Sequence, residues 1–431
     1  MLYESWRHIA SSARGELALW DLPTGRRWTF EQLAAAAESR SAPDEGLVCP
    51  HGGSAEFVLE VLGAWRSGRV VCPLESGQAP PLLARELPAG IVHLKTTSAS
   101  TGAPRLVAFT AEQLMADAGN IVATMGLRPG WPNLAVISLA HSYGFSNLVL
   151  PLLLHRIPLV LLGGPLPEML RRAVVSLSHL TLPAVPALWR AWQDAHAIPA
   201  HVSLAISAGA PLPLELEQRV FADHGLKIHN FYGSSECGGI AYDRSDVPRT
   251  DAAFAGQPLA GVSVDIGKSN CLEVRSAAVA ETYFPEPEPV LQDGRFVTSD
   301  LARLDGGAVY LLGRAGDQIN VAGRKVLPEA IESVLAAHPE VRGCLAFGIP
   351  SDDPQRGETI VACVTGSSEV SPAALREFAL THLAAWQVPR KWWIVPELPA
   401  NGRGKLSRAE WRERYLRQAN GNGNGHLCSK A

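Results

Sequence analysis

The chain has no excess of charge of one sign, few cysteines and no long apolar run, and each shortage removes a class of protein. Its 431 residues carry a formal net charge of −4, so no basic field is present to hold a nucleic acid. The seven cysteines, at 49, 72, 237, 271, 344, 363 and 428, are odd in number, scattered and without a Cys-x-x-Cys pair. That distribution argues against a structural zinc or a disulfide framework and for a reducing compartment. The longest apolar run, Leu148 to Leu154, ends at His155 and Arg156 and is too short to cross a bilayer. Met1 to Trp6 lacks the basic-then-apolar order of an export signal. A cytoplasmic protein with neither membrane nor nucleic acid as partner is expected. Also missing are the G-x-x-x-x-G-K-[ST] loop, a G-x-G-x-x-G after a strand, the G-x-S-x-G elbow and H-E-x-x-H. Any phosphate chemistry must use a different loop.

What is present is a 47% apolar chain long enough for more than one core. Helical periodicity runs over Thr29 to Ser39, with Thr29 as N-cap, and over Ser54 to Arg66. Strand-like runs at Val70–Pro73, Ala135–Leu139, Pro158–Leu162 and Leu204–Ser207 alternate with helices such as Glu168–Leu177 and Leu214–His224. This alternation predicts an α/β body with buried, largely parallel strands. From Val262 to Tyr310 short strands with Gly/Asp turns predict a small β-barrel-like part. A smaller α+β unit follows, with helices over Pro328–His338 and Ser371–Leu383 and strands near Val341–Gly348 and Thr359–Val364. The Asn/Gly tail from Asn420 is expected to be disordered.

Five segments carry candidate chemistry. Thr97-Ser98-Ala99-Ser100-Thr101-Gly102-Ala103-Pro104-Arg105 lies between the apolar runs Gly90–Leu94 and Leu106–Phe109. Backbone N–H groups and hydroxyls in such a loop can all donate to a polyphosphate, with Arg105 as a cation at the rim. His141-Ser142-Tyr143-Gly144-Phe145 follows an apolar strand. In Asn230-Phe231-Tyr232-Gly233-Ser234-Ser235-Glu236 an aromatic face, two hydroxyls and a carboxylate can stack a base, donate to a phosphate and ligate Mg²⁺. Asp300, ahead of Gly313-Arg314 and Asp317 to Lys325, is a carboxylate suited to a ribose diol. The last segment is the basic, glycine-bearing Asn401-Gly402-Arg403-Gly404-Lys405-Leu406-Ser407-Arg408.

Strung in this order, from Gly25–Phe30 to Lys405, these segments resemble the core motifs of the class I adenylate-forming (AMP-binding) superfamily, closest in pattern to acyl- and aryl-CoA synthetases. The resemblance implies a large N-terminal AMP-binding domain over 1–313, a hinge at 314–317, a small mobile lid domain over 318–416 and a tail from 417 to 431. It implies that Thr97, Ser98, Ser100, Thr101, Gly102 and Arg105 grip pyrophosphate. Tyr232 would stack by adenine, near Gly209 and Ala210. Ser235 would touch the α-phosphate, Glu236 would hold Mg²⁺, and Asp300 and Arg314 would bind ribose. Lys405 would be the adenylation lysine, a cation where two anions must meet. His141, Phe145, Ala208, Phe231 and Gly233 would wall the acid pocket, with His141 gating it. Gly316 and Asp317 would form the hinge, and Asn320 and Gly323 a face for the thiol. The implied reaction consumes ATP with Mg²⁺, forms an acyl-AMP from an aryl or short-to-medium acyl acid, and transfers the acyl group to a thiol, most simply CoA. Transfer to the phosphopantetheine of an acyl carrier protein, or to an amine, is the alternative, and a non-catalytic nucleotide- or acyl-binding homologue is a third reading. A monomer or homodimer is expected.

The chain departs from the family pattern in several places. Ala99 and Leu106 stand where glycines are usual, and Arg105 where lysine is usual, which keeps the charge but changes its geometry. Gly316 occupies the hinge position, with Asp317 beside it, and glycine permits rotation. Asn320 replaces the lysine of luciferases and counts against that activity. Between Pro73 and Thr97 little remains of a strand–helix unit.

Overall fold

The computed structural model describes residues 1–41, 46–97, 105–173, 177–351, 353, 357–399 and 407–421. Two units emerge: one of Met1–Gly267, Leu272–Thr298 and Leu304–Tyr310, the other of Lys268–Cys271, Ser299–Arg303 and the chain from Leu311. Among the described residues no helix is long and apolar enough to cross a membrane.

The core of the first unit is a run of parallel strands. Leu17–Asp21 pairs with Leu159–Leu161, which pairs with Asn133–Ala135. Beyond these lie Leu180–Ala184, Val202–Ser207 and Ile228–Ser234, all parallel. Both faces of the Val202–Ser207 strand are covered, so its side chains divide between two cores. Ala205 joins Leu182, Trp189, Trp192, Leu216 and Val220 on one face, while Leu204 and Ile206 join Ile121, Met125 and Phe231 on the other. After Ser234 the chain turns back into the antiparallel strands Gly238–Tyr242 and Phe254–Pro258.

A second, mixed sheet holds Leu47–Val48, Val70–Val71, Ile91–Thr96, Leu106–Thr110 and Thr282–Phe284 in that order. From Gln78 to Pro88 no helix or strand is assigned, so the shortened strand–helix region expected before Thr97 is irregular chain. Two helices start with reciprocal capping boxes, Thr29 with Gln32 and Thr110 with Gln113. The expected Thr29 cap is thus present. The strand expected over Ala135–Leu139 lies instead at Asn133–Ala135, overlapping the expected run only at Ala135. Ser138 explains the break: its hydroxyl donates to Glu75 Oε2 at 3.0 Å and accepts from the Ala140 N–H at 3.2 Å, a local alternative to ladder bonds. The helix expected over Glu168–Leu177 is described as Pro167–Ala173.

In the second unit, Val341–Pro350 pairs antiparallel with Glu358–Gly366, which pairs parallel with Lys391–Ile394. Residues 359–365 of the central strand are buried without interruption, because helices cover both faces. Ile360, Ala362 and Val364 face helices Pro328–Ala336 and Pro372–His382 through Ile331, Leu335, Leu375 and Ala379. Val361 and Cys363 face the last helix, Arg408–Gly421, through Trp411 and Tyr415.

Candidate active site

The proposed phosphate loop is a hairpin connection. Ile91–Thr96 and Leu106–Thr110 are antiparallel with Thr96 opposite Leu106. Thr97 seals the mouth, its N–H and hydroxyl both donating to the Arg105 carbonyl at 2.9 and 3.2 Å. Ser98, Ala99, Ser100, Thr101 and Gly102 lie outside the described residues. Arg105 forms an ion pair with Glu288 and stands 5.3 Å from the Tyr283 ring centre.

Glu236 sits in the tight turn between two antiparallel strands, with Ser234 opposite Gly238. The Ala280 N–H donates to the Glu236 carbonyl at 2.8 Å, and the Tyr283 hydroxyl donates to Glu236 Oε1 at 3.0 Å. Tyr283 itself belongs to the strand paired with Leu106–Thr110. One short segment, 280–284, thereby fastens the Glu236 turn to the edge of the phosphate hairpin. Burial and the neighbouring Glu236 carboxylate push the Tyr283 phenol up, so it remains a proton donor throughout the neutral range. A methyl group at Gly238 would overlap the Asp117 carboxylate, and Gly238 has φ +67°, so only glycine suits this turn.

His141 caps the short helix Ser142–Gly144, its Nδ1 accepting from the Tyr143 N–H at 3.3 Å. In the neutral ring this leaves the proton on Nε2. The Ser142 hydroxyl donates to Ser235 Oγ at 3.0 Å, joining the His141 turn to the Glu236 turn. Phe231 is buried against Tyr143, ring centres 6.0 Å apart, and strand alternation sends half-buried Tyr232 to the opposite face. Phe145 is 1% exposed and stacks on His93 with ring centres 4.4 Å apart. Ala208 is buried, Gly209 takes φ +86°, and Gly209, Ala210 and Gly233 are wholly or partly exposed.

Behind the Glu236 turn lies a buried polar network that sequence reasoning missed. Asp117, 1% exposed, accepts from the Gly239 N–H at 3.1 Å and from the Ser146 hydroxyl at 2.6 Å. Lys95 donates to Ser146 Oγ at 3.3 Å and stands 4.0 Å from Asp117 Oδ2. Burial lowers the Lys95 pKa, opposed by Asp117. The signal lay in His93 and Lys95, two polar residues on the same buried side of an otherwise apolar strand. Tyr283 and Glu288 carried no local signal, being 47 and 183 residues from the partners they meet.

In the second unit, Arg314 Nε donates to Asp300 Oδ1 at 3.1 Å, so the two residues assigned to ribose are adjacent. Gly316 and Asp317 lie in the single turn Ala315–Asp317. Asn320 is exposed and its N–H donates to Glu358 Oε2 at 2.7 Å. Gly323 lies in the turn of the hairpin Ile319–Val321 and Arg324–Val326. Lys405 lies outside the described residues.

The donor set fits a nucleotide-borne Mg²⁺ rather than a protein cage. Among the described residues no three His, Cys, Asp or Glu side chains gather as metal ligands. Glu236 offers one carboxylate oriented by Tyr283, and Mg²⁺ is commonly held by one or two carboxylates plus substrate phosphates.

Comparison with known proteins agrees with this geometry. The family model described as AMP-binding enzyme matches residues 85–281, and that of the AMP-binding enzyme C-terminal domain matches 330–405. A probable 2-succinylbenzoate–CoA ligase of Mycobacterium tuberculosis is 30% identical over 341 residues, covering 75% of this chain and 84% of that protein. A feruloyl-CoA synthase of Amycolatopsis sp. is 28% identical over 358 residues, covering 77% of this chain and 72% of its own. The crystal structure of ATP-bound MatB from Rhodopseudomonas palustris shares the fold with a TM-score of 0.85 at 20% identity, covering 96% of this chain and 99% of that one. The chain belongs to the AMP-binding, adenylate-forming enzymes, and within them to the acid–thiol ligases.

Proposed function

We propose that this protein activates an aryl carboxylic acid with ATP as acyl-AMP, releasing pyrophosphate, and then passes the acyl group to CoA. The observation that carries the reading is the junction at Glu236. Tyr283 ties that turn to the phosphate hairpin, and Ser142–Ser235 ties it to His141. The segments read as phosphate-binding, metal-binding and acid-gating are thus joined within the first unit. An aryl acid is favoured because the two relatives above are named for 2-succinylbenzoate and a feruloyl group.

In this reading Thr97 and Arg105 hold the β- and γ-phosphates with the hairpin loop. Tyr232 lies along adenine with Gly209 and Ala210 opposite, and Asp300 and Arg314 take the ribose hydroxyls. Glu236 would hold the Mg²⁺ that arrives with ATP, which would supply neutralisation of the phosphate charge, and Ser235 donates to the α-phosphate. His141 closes the acid pocket. Lys405 stabilises the charge that develops as a carboxylate oxygen bonds to the α-phosphorus and the bond to pyrophosphate breaks. Rotation at 314–317 then replaces Lys405 with the face around Asn320 and Gly323, and the thiolate displaces AMP.

The test is ATP–pyrophosphate exchange with benzoate, ferulate, 2-succinylbenzoate, butyrate and octanoate. Exchange with an aryl acid is expected, falling at least about 100-fold in Lys405→Ala, and added CoA should then yield the thioester. Exchange with no acid would contradict the reading. Exchange with thioester formed only on a phosphopantetheinylated carrier protein, or product formed only with an amine, would replace CoA as acceptor.

A further inference from the structure

Arg408 begins the last helix, three residues after Lys405 in the chain. Its side chain is one-fifth exposed and meets three carboxylates from two other elements. Nη1 donates to Asp317 Oδ2 at 2.9 Å, while Nη2 lies 2.9 Å from Glu329 Oε1 and donates to Glu332 Oε2 at 2.8 Å. Asp317 closes the turn that follows Arg314, and both glutamates lie on helix Pro328–Ala336. Glu332 is anchored in turn, its Oε1 accepting from the Ala346 N–H at 2.8 Å. Glu329 presses on Gly313, which has φ +142°; a methyl group there would collide with its carboxylate. All these groups belong to the second unit.

A single guanidinium facing three carboxylates is a poor source of stability, since burying several charges costs more than one cation recovers. What the cluster does supply is direction. The planar fork of arginine fixes where each carboxylate stands, which a lysine point charge does not. Those carboxylates sit on the turn after Arg314 and on the helix behind it, while the guanidinium sits on the helix that begins just past Lys405.

We propose that Arg408 with Asp317, Glu329 and Glu332 forms a clasp joining the end of the hinge turn, at Asp317, to the chain that follows Lys405, so that rotation of the hinge is passed on to that chain. Arg408 is then a positioning residue for Lys405. The inference rests on the reading of Lys405 as the adenylation lysine and of 314–317 as the hinge.

The test compares the two half-reactions in the full-length chain. Arg408→Lys keeps the charge and loses the fork. With ferulate or 2-succinylbenzoate, whichever supports exchange, it is expected to lower kcat for ATP–pyrophosphate exchange about tenfold. KM for ATP and acid should stay within about twofold, the pattern of a contact made only in the transition state. Thioester formation from synthetic acyl-adenylate and CoA, which does not use Lys405 in this reading, should also stay within about twofold. Asp317→Asn removes only the hinge arm and leaves Arg408 its two helix partners, so it should show the same split with a smaller loss. Equal loss in both half-reactions would mean that the cluster merely holds the small unit together. Unchanged exchange in both variants would mean that Lys405 is placed without it. Either result overturns the clasp. A wild-type protein with no exchange, or a Lys405→Ala variant that retains it, would instead overturn the reading beneath it.

Discussion

Glu236→Ala is expected to slow ATP–pyrophosphate exchange by about 100- to 1,000-fold, the effect typical of removing one preorganised group from a charge-stabilising site. Glu236 is held from two directions: its carbonyl accepts from Ala280 and its carboxylate from Tyr283. A carboxylate fixed in this way can orient a nucleotide-borne Mg²⁺ without reorganising as the α-phosphate is attacked. Tyr283→Phe leaves the carboxylate in place but lets it turn, so the loss should be smaller, about tenfold, in line with one hydrogen bond to a charged group. Excess Mg²⁺ should recover part of the activity of the alanine variant and little of that of the phenylalanine variant. If both variants exchange within threefold of wild type, the Glu236 turn is not where the metal-bound phosphates are handled.

The second large effect concerns stability. Glu217 is completely buried on helix Leu214–His224 and forms ion pairs with both Lys227 and Arg249. It also accepts from the Arg249 N–H at 3.0 Å. Lys227 donates in addition to Asp243 Oδ2 at 2.7 Å, and Arg249 donates to the Leu212 and Phe254 carbonyls at 2.6 and 3.1 Å. Burial would raise the Asp243 pKa, but the bonds from Lys227 and Ser245 outweigh it and hold the carboxyl below its ordinary value. Glu217→Ala strands two buried cations with one remaining carboxylate between them. Breaking such a network by removing one partner costs about 3–5 kcal/mol. Thermal and urea unfolding should show that loss, with Glu217→Gln intermediate because it keeps part of the bonding. The consequence reaches function, since Arg249 braces the Leu212 carbonyl just beyond Gly209 and Ala210. A cost below about 1 kcal/mol would place Glu217 with ordinary surface pairs.

Much of the fold around the candidate site was legible because the candidate segments are contiguous and flanked by apolar runs. The apolar runs on either side of the hydroxyl-rich stretch are antiparallel strands, as expected, and Thr97 bonds to Arg105 where they end. The alternation of apolar runs and helices gave the parallel body, since strands buried on both faces read as continuous hydrophobic stretches. What stayed hidden was made by contacts across the sequence. Tyr283 reaches Glu236 because segment 280–284 bonds the Glu236 turn through Ala280 and pairs with Leu106–Thr110 through Thr282–Phe284, and no spacing rule foretells that meeting. Lys95 and Asp117 stand on different elements, yet the fold buries both behind one turn. Arg408 read as one more cation in a basic loop, whereas three carboxylates surround it. Burial also reshapes those partners: desolvation pushes Glu332 up to about 7, despite Arg408 beside it. Local propensity erred at Ala135–Leu139, where side-chain bonds of Ser138 took the place of strand pairing.

The most direct measurement of the central claim follows the oxygen of the acid. The protein would be given ATP, CoA and ferulate or 2-succinylbenzoate labelled with ¹⁸O in both carboxylate oxygens, and the AMP analysed by mass spectrometry. Attack of the carboxylate on the α-phosphorus, followed by thiol displacement of AMP, predicts that each AMP gains one ¹⁸O and that the thioester keeps the other. Label in inorganic phosphate with ADP as the nucleotide product would mean attack at the γ-phosphorus, and unlabelled AMP would mean that no acyl-adenylate forms; either would contradict the account.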